Sequence, residues 1–188
     1  MNEKEWVASF VEKLNRYFGK YHKNTQAHTS KKIAYAYEIL GYDGKEPHKY
    51  NPMAYETDVL ITENNKDDSW VPRIVIEGKL KSVTTHDSIT YSQKAQSHKN
   101  VHPYLRYGII LGSRAHYPLP GRLFRHGAHF DFMISWKSLN PTKSEWSIFI
   151  KLLKNELEAS RQLEDIIFNS RSRSRKRYTY LRKSLSLR

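Results

Sequence analysis

Cysteine is absent from this 188-residue chain. That excludes disulfides, thiolate nucleophiles and Cys-ligated zinc, and it fits a reducing compartment. No apolar run approaches the ~18–20 residues of a membrane span. The opening Met1-Asn2-Glu3-Lys4-Glu5 lacks the basic-then-apolar layout of a secretory signal. A cytoplasmic location with no membrane partner is therefore expected. A Gly-rich phosphate-cradling loop is missing, so no nucleotide cofactor is expected. Acids are scarce: 19 Asp and Glu stand against 32 Lys and Arg, a formal net charge of +13. Hydrophobic residues make up 38% and aromatics 13% of the chain, more than disordered segments carry. A chain of ~100–200 residues is one domain.

The positive charge is uneven. Asn169 to Arg188 holds eight Lys/Arg, among them Arg173, Arg175, Lys176 and Arg177, and no acid. Removing eight charges from +13 leaves +5 for residues 1–168. The chain thus divides into a mildly basic domain, 1–168, and a basic tail, 169–188. Clustered cations release condensed counterions from phosphate, which makes nucleic acid the first partner to consider.

Apolar periodicity predicts a helix over 3–20, with Trp6, Val7, Phe10, Val11, Leu14 and Phe18 on one face and Asn2/Glu5 as a capping box. A second helix is expected near 31–40, capped by Ser30 and ended by Gly41, followed by a loop to Met53. Strands are expected over 55–62 and 73–82, paired as an antiparallel hairpin about the Asn/Asp-rich turn 63–68. A weak helical signal spans 87–99. Strands follow at 106–111 and 128–136, separated by a long connection, 113–127. Thr142 and Glu145 open a last helix reaching about Phe168. The fold class expected from this order is α/β, a mixed central sheet flanked by helices.

The hairpin carries the chemistry. Side chains alternate along a strand, so Glu77 and Lys79 share one face while Ile74, Ile76 and Leu80 take the other. Asp58 lies on the strand expected to pair with them, where facing side chains are ~5 Å apart. Two carboxylates and a lysine in one place suit metal-assisted phosphodiester hydrolysis. Mg²⁺ prefers one or two carboxylates plus water and phosphate oxygens, and a lysine offsets charge growing on the phosphate. Glu56 shares a face with Asp58.

The Asp58 … Glu77-Gly78-Lys79 arrangement, set between a preceding helix and a following helix and strand, resembles the PD-(D/E)xK nuclease superfamily over roughly residues 30–112. The resemblance implies a restriction-endonuclease-like core, with Asp58 and Glu77 as ligands of Mg²⁺ (Mn²⁺ as the alternative ion) and Lys79 as the catalytic lysine. It also implies a further glutamate on the preceding helix, for which Glu38 is the matching residue. Two departures are Thr57 where the family has Pro, and Gly78 where an apolar residue is usual; the glycine suggests close approach of another chain or DNA. Ser97 stands where RecB-like members, which share Gln93, carry Tyr.

The resulting expectation is a Mg²⁺-dependent DNA endonuclease of the type II restriction kind, acting on double-stranded DNA as a homodimer. The alternatives are a structure-specific nuclease of the resolvase or repair type and a non-catalytic nucleic-acid-binding protein. Gln93, Lys94 and Lys99 in the polar stretch 82–102, Arg114, Arg122 and Arg125 in the long connection, and the tail cations are the expected DNA contacts. The cluster His126, His129 and Asp131 lacks a zinc-site pattern and ranks low as a metal site.

Overall fold

The computed structural model describes residues 1–115 and 119–168. Chain order is α1 (Glu3–Tyr21), β1 (Thr25–Asp43), β2 (Glu46–Asn64), β3 (Trp70–Leu80), α2 (Thr85–Val101), β4 (Arg106–Gly112), α3 (Gly121–His126), β5 (Phe132–Ser135) and α4 (Lys143–Phe168). The strands form one mixed sheet in the order β1-β2-β3-β4-β5. The β1–β2 and β2–β3 pairs are antiparallel, and β3–β4 and β4–β5 are parallel. The expected class, α/β with a mixed sheet and flanking helices, is what the chain adopts.

Helix starts follow local chemistry. Asn2 Oδ1 accepts from the Glu5 amide and Glu5 Oε2 from the Asn2 amide, both at 2.9 Å. Thr142 and Glu145 close the same reciprocal box at α4. Two layers of side chains then cover the sheet. On one face Trp6, Phe10 and Leu14 of α1 meet Phe149, Leu153 and Leu157 of α4 over Val59, Ile61, Ile74 and Ile76. Trp6, Phe10 and Trp136 pack edge-to-face with centroids 5.1–5.8 Å apart, the geometry that aromatic quadrupoles favour. On the other face α2 and α3 cover Leu60, Val75, Tyr107, Ile109 and Leu111. The buried face of α2 is Ser88, Ser92, Ala95 and His98, which explains its weak apolar periodicity.

The region 31–53 differs from expectation. Instead of a helix and a loop it is the outer part of a long β1–β2 hairpin. Tyr35, Tyr37 and Ile39 recur at strand spacing, and Asp43 pairs with Glu46 around a two-residue turn in which Gly44 has φ +63. Glycine at the first central position suits a hairpin turn of the II′ kind. Ser30, expected as a helix cap, stands at φ 52 within β1. The connection 113–127 contains the short helix α3. The tail 169–188, with Arg173, Arg175, Lys176 and Arg177, lies outside the described residues.

Candidate active site

The β2–β3 ladder ends at the Val59–Ile76 pair. One step beyond, Asp58 and Glu77 face each other where the strands part. The Gly78 amide, left without a ladder partner on β2, donates to Asp58 Oδ2 at 2.8 Å. Glu77 is 1% exposed. The Tyr107 hydroxyl of β4 donates to its Oε1, and Lys94 Nζ of α2 stands 2.9 Å from the same oxygen. Lys94 also donates to the Glu56 carbonyl at 3.2 Å, so it bridges both strands of the hairpin. Tyr91, one helical turn before it, has its ring 5.4 Å from both Lys94 Nζ and Lys79 Nζ.

Burial dominates the electrostatics. It pushes the Glu77 carboxyl up to about 7; the Asp58 charge adds to the rise, and Lys94 and Tyr107 oppose it. The Tyr107 hydroxyl is held well above its ordinary value by burial and by Glu77. Lys79 behaves differently. Burial alone would lower it, but the Tyr91 hydroxyl and Glu3 hold it above the ordinary lysine value. It is therefore a cation at neutral pH.

Lys79 is oriented by the start of α1. Glu3 Oε1 lies 3.2 Å from Lys79 Nζ, and Glu3 Oε2 accepts from the Leu80 amide at 3.1 Å. This contact requires α1 to lie tightly on the sheet, which explains Gly78. A Cβ there would come within 2.9 Å of Val7 Cγ2 and 3.4 Å of the Trp6 ring. The close approach is made by α1 of this same chain, not by DNA or a second chain.

The donor set fits a hard divalent cation in part. Among the described residues, no three His, Asp or Glu side chains converge to hold a metal. Asp58 and Glu77 do supply two carboxylates whose charges oppose each other. Such a pair suits Mg²⁺ completed by water and phosphate oxygens. Lys94 is the counter-charge that Glu77 has in this structure.

The other sequence-predicted residues fall elsewhere. Glu38 is on β1, not on a helix, and pairs with Asn51, seven residues along β2 from Asp58. At ~3.3 Å per residue that is about 23 Å away, so it does not join the site. Glu56 is exposed beside it. Gln93, Arg122 and Arg125 are exposed on α2 and α3, and Arg114 is half-buried, its amide bonded to the Trp136 carbonyl. Lys99 is instead structural: its Nζ is 2.8 Å from Asp131 Oδ2 and donates to the His129 carbonyl at 2.7 Å. Asp131 also pairs with Arg106 at 3.0 Å and accepts from the Tyr107 amide, which commits it to the fold rather than to a metal with His126 and His129.

Sequence reasoning missed Glu3, Tyr91 and Tyr107, and took Lys94 only as a DNA contact. Tyr91 and Lys94 at i,i+3 share a helix face, which is the one signal that pointed to a joint role. No protein-family model and no curated protein matches the chain.

Proposed function

We propose that this chain is a Mg²⁺-dependent DNA endonuclease with a PD-(D/E)xK-type, restriction-endonuclease-like core, hydrolysing phosphodiester bonds in double-stranded DNA as a homodimer. The observation that carries the reading is the facing of Asp58 and Glu77 at the parting of β2 and β3, with Lys79 and Lys94 alongside. A bound divalent ion would polarise the phosphoryl oxygen and lower the pKa of a water. Asp58 and Glu77 would hold that ion. Lys79, kept cationic by Tyr91 and Glu3, would offset charge on the phosphate and orient the water rather than accept a proton. Glu3 is a positioning residue for Lys79. The exposed Arg122 and Arg125 lie on α3, which packs beside α2, on the same side of the sheet as Glu77.

Incubation with varied plasmids, with Mg²⁺ or with EDTA, tests this. Discrete, metal-dependent fragments are expected, and Asp58→Ala or Glu77→Ala should abolish them. Cleavage retained by either variant overturns the site. Preference for branched substrates would favour a resolvase-type enzyme. A non-catalytic nucleic-acid-binding protein is favoured by one observation, the Lys94–Glu77 pair that already neutralises the carboxylate; tight binding without cleavage would establish it.

A further inference from the structure

Beyond the Tyr55 ring, which meets His98 of α2 at 5.8 Å, the outer half of the β1–β2 hairpin projects from the domain, with none of the other described elements packed on it. None of the described side chains from Tyr37 to Glu56 is buried. β1 is the edge strand, and β2 has β3 as a neighbour only over Val59–Asn64. Among the described residues both strands of the arm therefore offer unpaired backbone edges, a template for strand addition.

The arm is also apolar on both sides. Ile39 is paired with Tyr50, and the Tyr37 and Tyr50 rings meet at 5.7 Å, so these three share one side. Leu40, Tyr42 and Met53 take the other, because Ala36 pairs with Met53 and side chains alternate from there. Leu40 is 77% and Tyr42 67% exposed. A lone two-stranded hairpin is marginally stable in water, and contiguous exposed apolar surface marks an interaction site.

Charge decides the partner. From Ile33 to Gly44 there is no Lys or Arg. Over Ile33–Ala54, Glu38, Asp43 and Glu46 outnumber Lys45 and Lys49, a net −1 in a chain of +13. A ribbon built to lie along phosphates would carry cations. The rest of the chain repels other copies of itself, and the arm is the near-neutral place where two copies meet without repulsion. We infer that the arm is a homodimerisation element, pairing with the same arm of a second copy about a two-fold axis. A self-complementary patch is what two-fold pairing needs. Six half-exposed apolar side chains present on the order of 600 Å² per protomer, given ~150–250 Å² per aromatic. Two arms would bury about 1,200 Å², the lower bound of a stable interface. The inference does not rest on the nuclease reading, since oligomeric state is measured without substrate.

The full chain should run as a dimer by light scattering at about 100 µM, a concentration at which a weak dimer is populated by mass action. Replacing residues 37–52 by Asn-Gly, which rejoins the paired Ala36 and Met53, should give a monomer with an unchanged tryptophan emission spectrum, since Trp6, Trp70, Trp136 and Trp146 all lie outside the segment. The cysteine-free background permits a second test that keeps the arm. Leu40→Cys should be captured as a covalent dimer by a bis-maleimide, and Lys151→Cys on exposed α4 should not. A monomeric full chain, a shortened variant that stays dimeric, or equal crosslinking at the two positions each overturns the inference. Loss of duplex affinity on shortening, with oligomeric state unchanged, would assign the arm to DNA instead.

Discussion

Asp58 and Glu77 stand opposite each other on the first open rung between β2 and β3, each held by a donor from the chain's own framework. The Gly78 amide fixes the first, and Tyr107 with Lys94 fixes the second. The two carboxylates are unequal as a result. Asp58 is half-exposed, whereas Glu77 is buried and feels the charge of its neighbour. A dry carboxylate beside another is an unfavourable arrangement that a counter-cation relieves.

The first consequence is a pH-dependent stability. Burial raises Glu77 from 4.5 to about 7 in the folded state. Between these values the folded protein binds more protons than the unfolded chain, so stability falls as pH rises through roughly 4.5–7. The contribution is on the order of 3 kcal/mol at 1.36 kcal/mol per unit. Glu77→Gln should flatten this part of the curve. Urea denaturation of both proteins at pH 5 and pH 7.5 measures it; equal slopes would show that Glu77 does not titrate there.

Lys94 is the partner that keeps Glu77 charged. Lys94→Met removes the cation 2.9 Å away and strands a buried carboxylate. Breaking one side of a buried pair costs about 3–5 kcal/mol. The loss should be larger at pH 8 than at pH 5, where Glu77 takes up a proton instead. Thermal melts at the two pH values check this.

Divalent ions should replace that counter-charge. Millimolar Mg²⁺ should raise the melting temperature of Lys94→Met more than that of the wild type, because no lysine competes for Glu77. It should leave Asp58→Asn/Glu77→Gln unmoved. The gain follows ligand concentration as about 2.7 kcal/mol at a hundredfold excess over Kd. A Mg²⁺ shift that survives in the double variant would place the ion elsewhere.

Gly112 tests the seating of α1 that brings Glu3 to Lys79. A Cβ at Gly112 would overlap the Trp6 ring, with Trp6 Cε2 at 2.6 Å and Leu80 Cδ2 at 2.9 Å. Trp6 cannot move freely, since its Nε1 donates to the Leu139 carbonyl at 2.9 Å. Gly112→Ala should therefore cost about 1–3 kcal/mol, lowering the melting temperature by several degrees at ~2–4 °C per kcal/mol. An unchanged melt would mean that α1 is loosely seated.

What the sequence disclosed depended on whether the determining contacts were local. α1 and α4 were legible from capping boxes and apolar faces, and β3 from an apolar strand interrupted by Glu77 and Lys79. The outer half of β1 was not, because Ile33, Tyr37 and Leu40 fit the helical period as well as Tyr35, Tyr37 and Ile39 fit the strand period. Gly44-Lys45, the Gly-X pair of a two-residue II′ hairpin turn, was the signal that decided between them. Glu3 was invisible for another reason: its partner Lys79 is 76 residues away, and only the packing of Trp6 and Val7 over Gly78 brings them together. Lys99 looked like a surface cation for the same reason, since Asp131, its partner, is distant in sequence.

The basic tail should carry most of the salt dependence of duplex binding, since it holds eight cations in a chain of net charge +13. Those cations lie outside the described residues, and their charge alone sets the expected contribution. Each phosphate neutralised on duplex DNA adds about 0.9 to the negative slope of log affinity against log salt. If all eight contact phosphate, removing residues after Phe168 should flatten that slope by about 7. The domain, at +5, would retain a shallower dependence through cations such as Arg122 and Arg125. Fluorescence anisotropy titrations of labelled duplex at several salt concentrations give both slopes. An unchanged slope would show that the tail does not touch DNA, and would leave the domain surface to carry the whole electrostatic attraction.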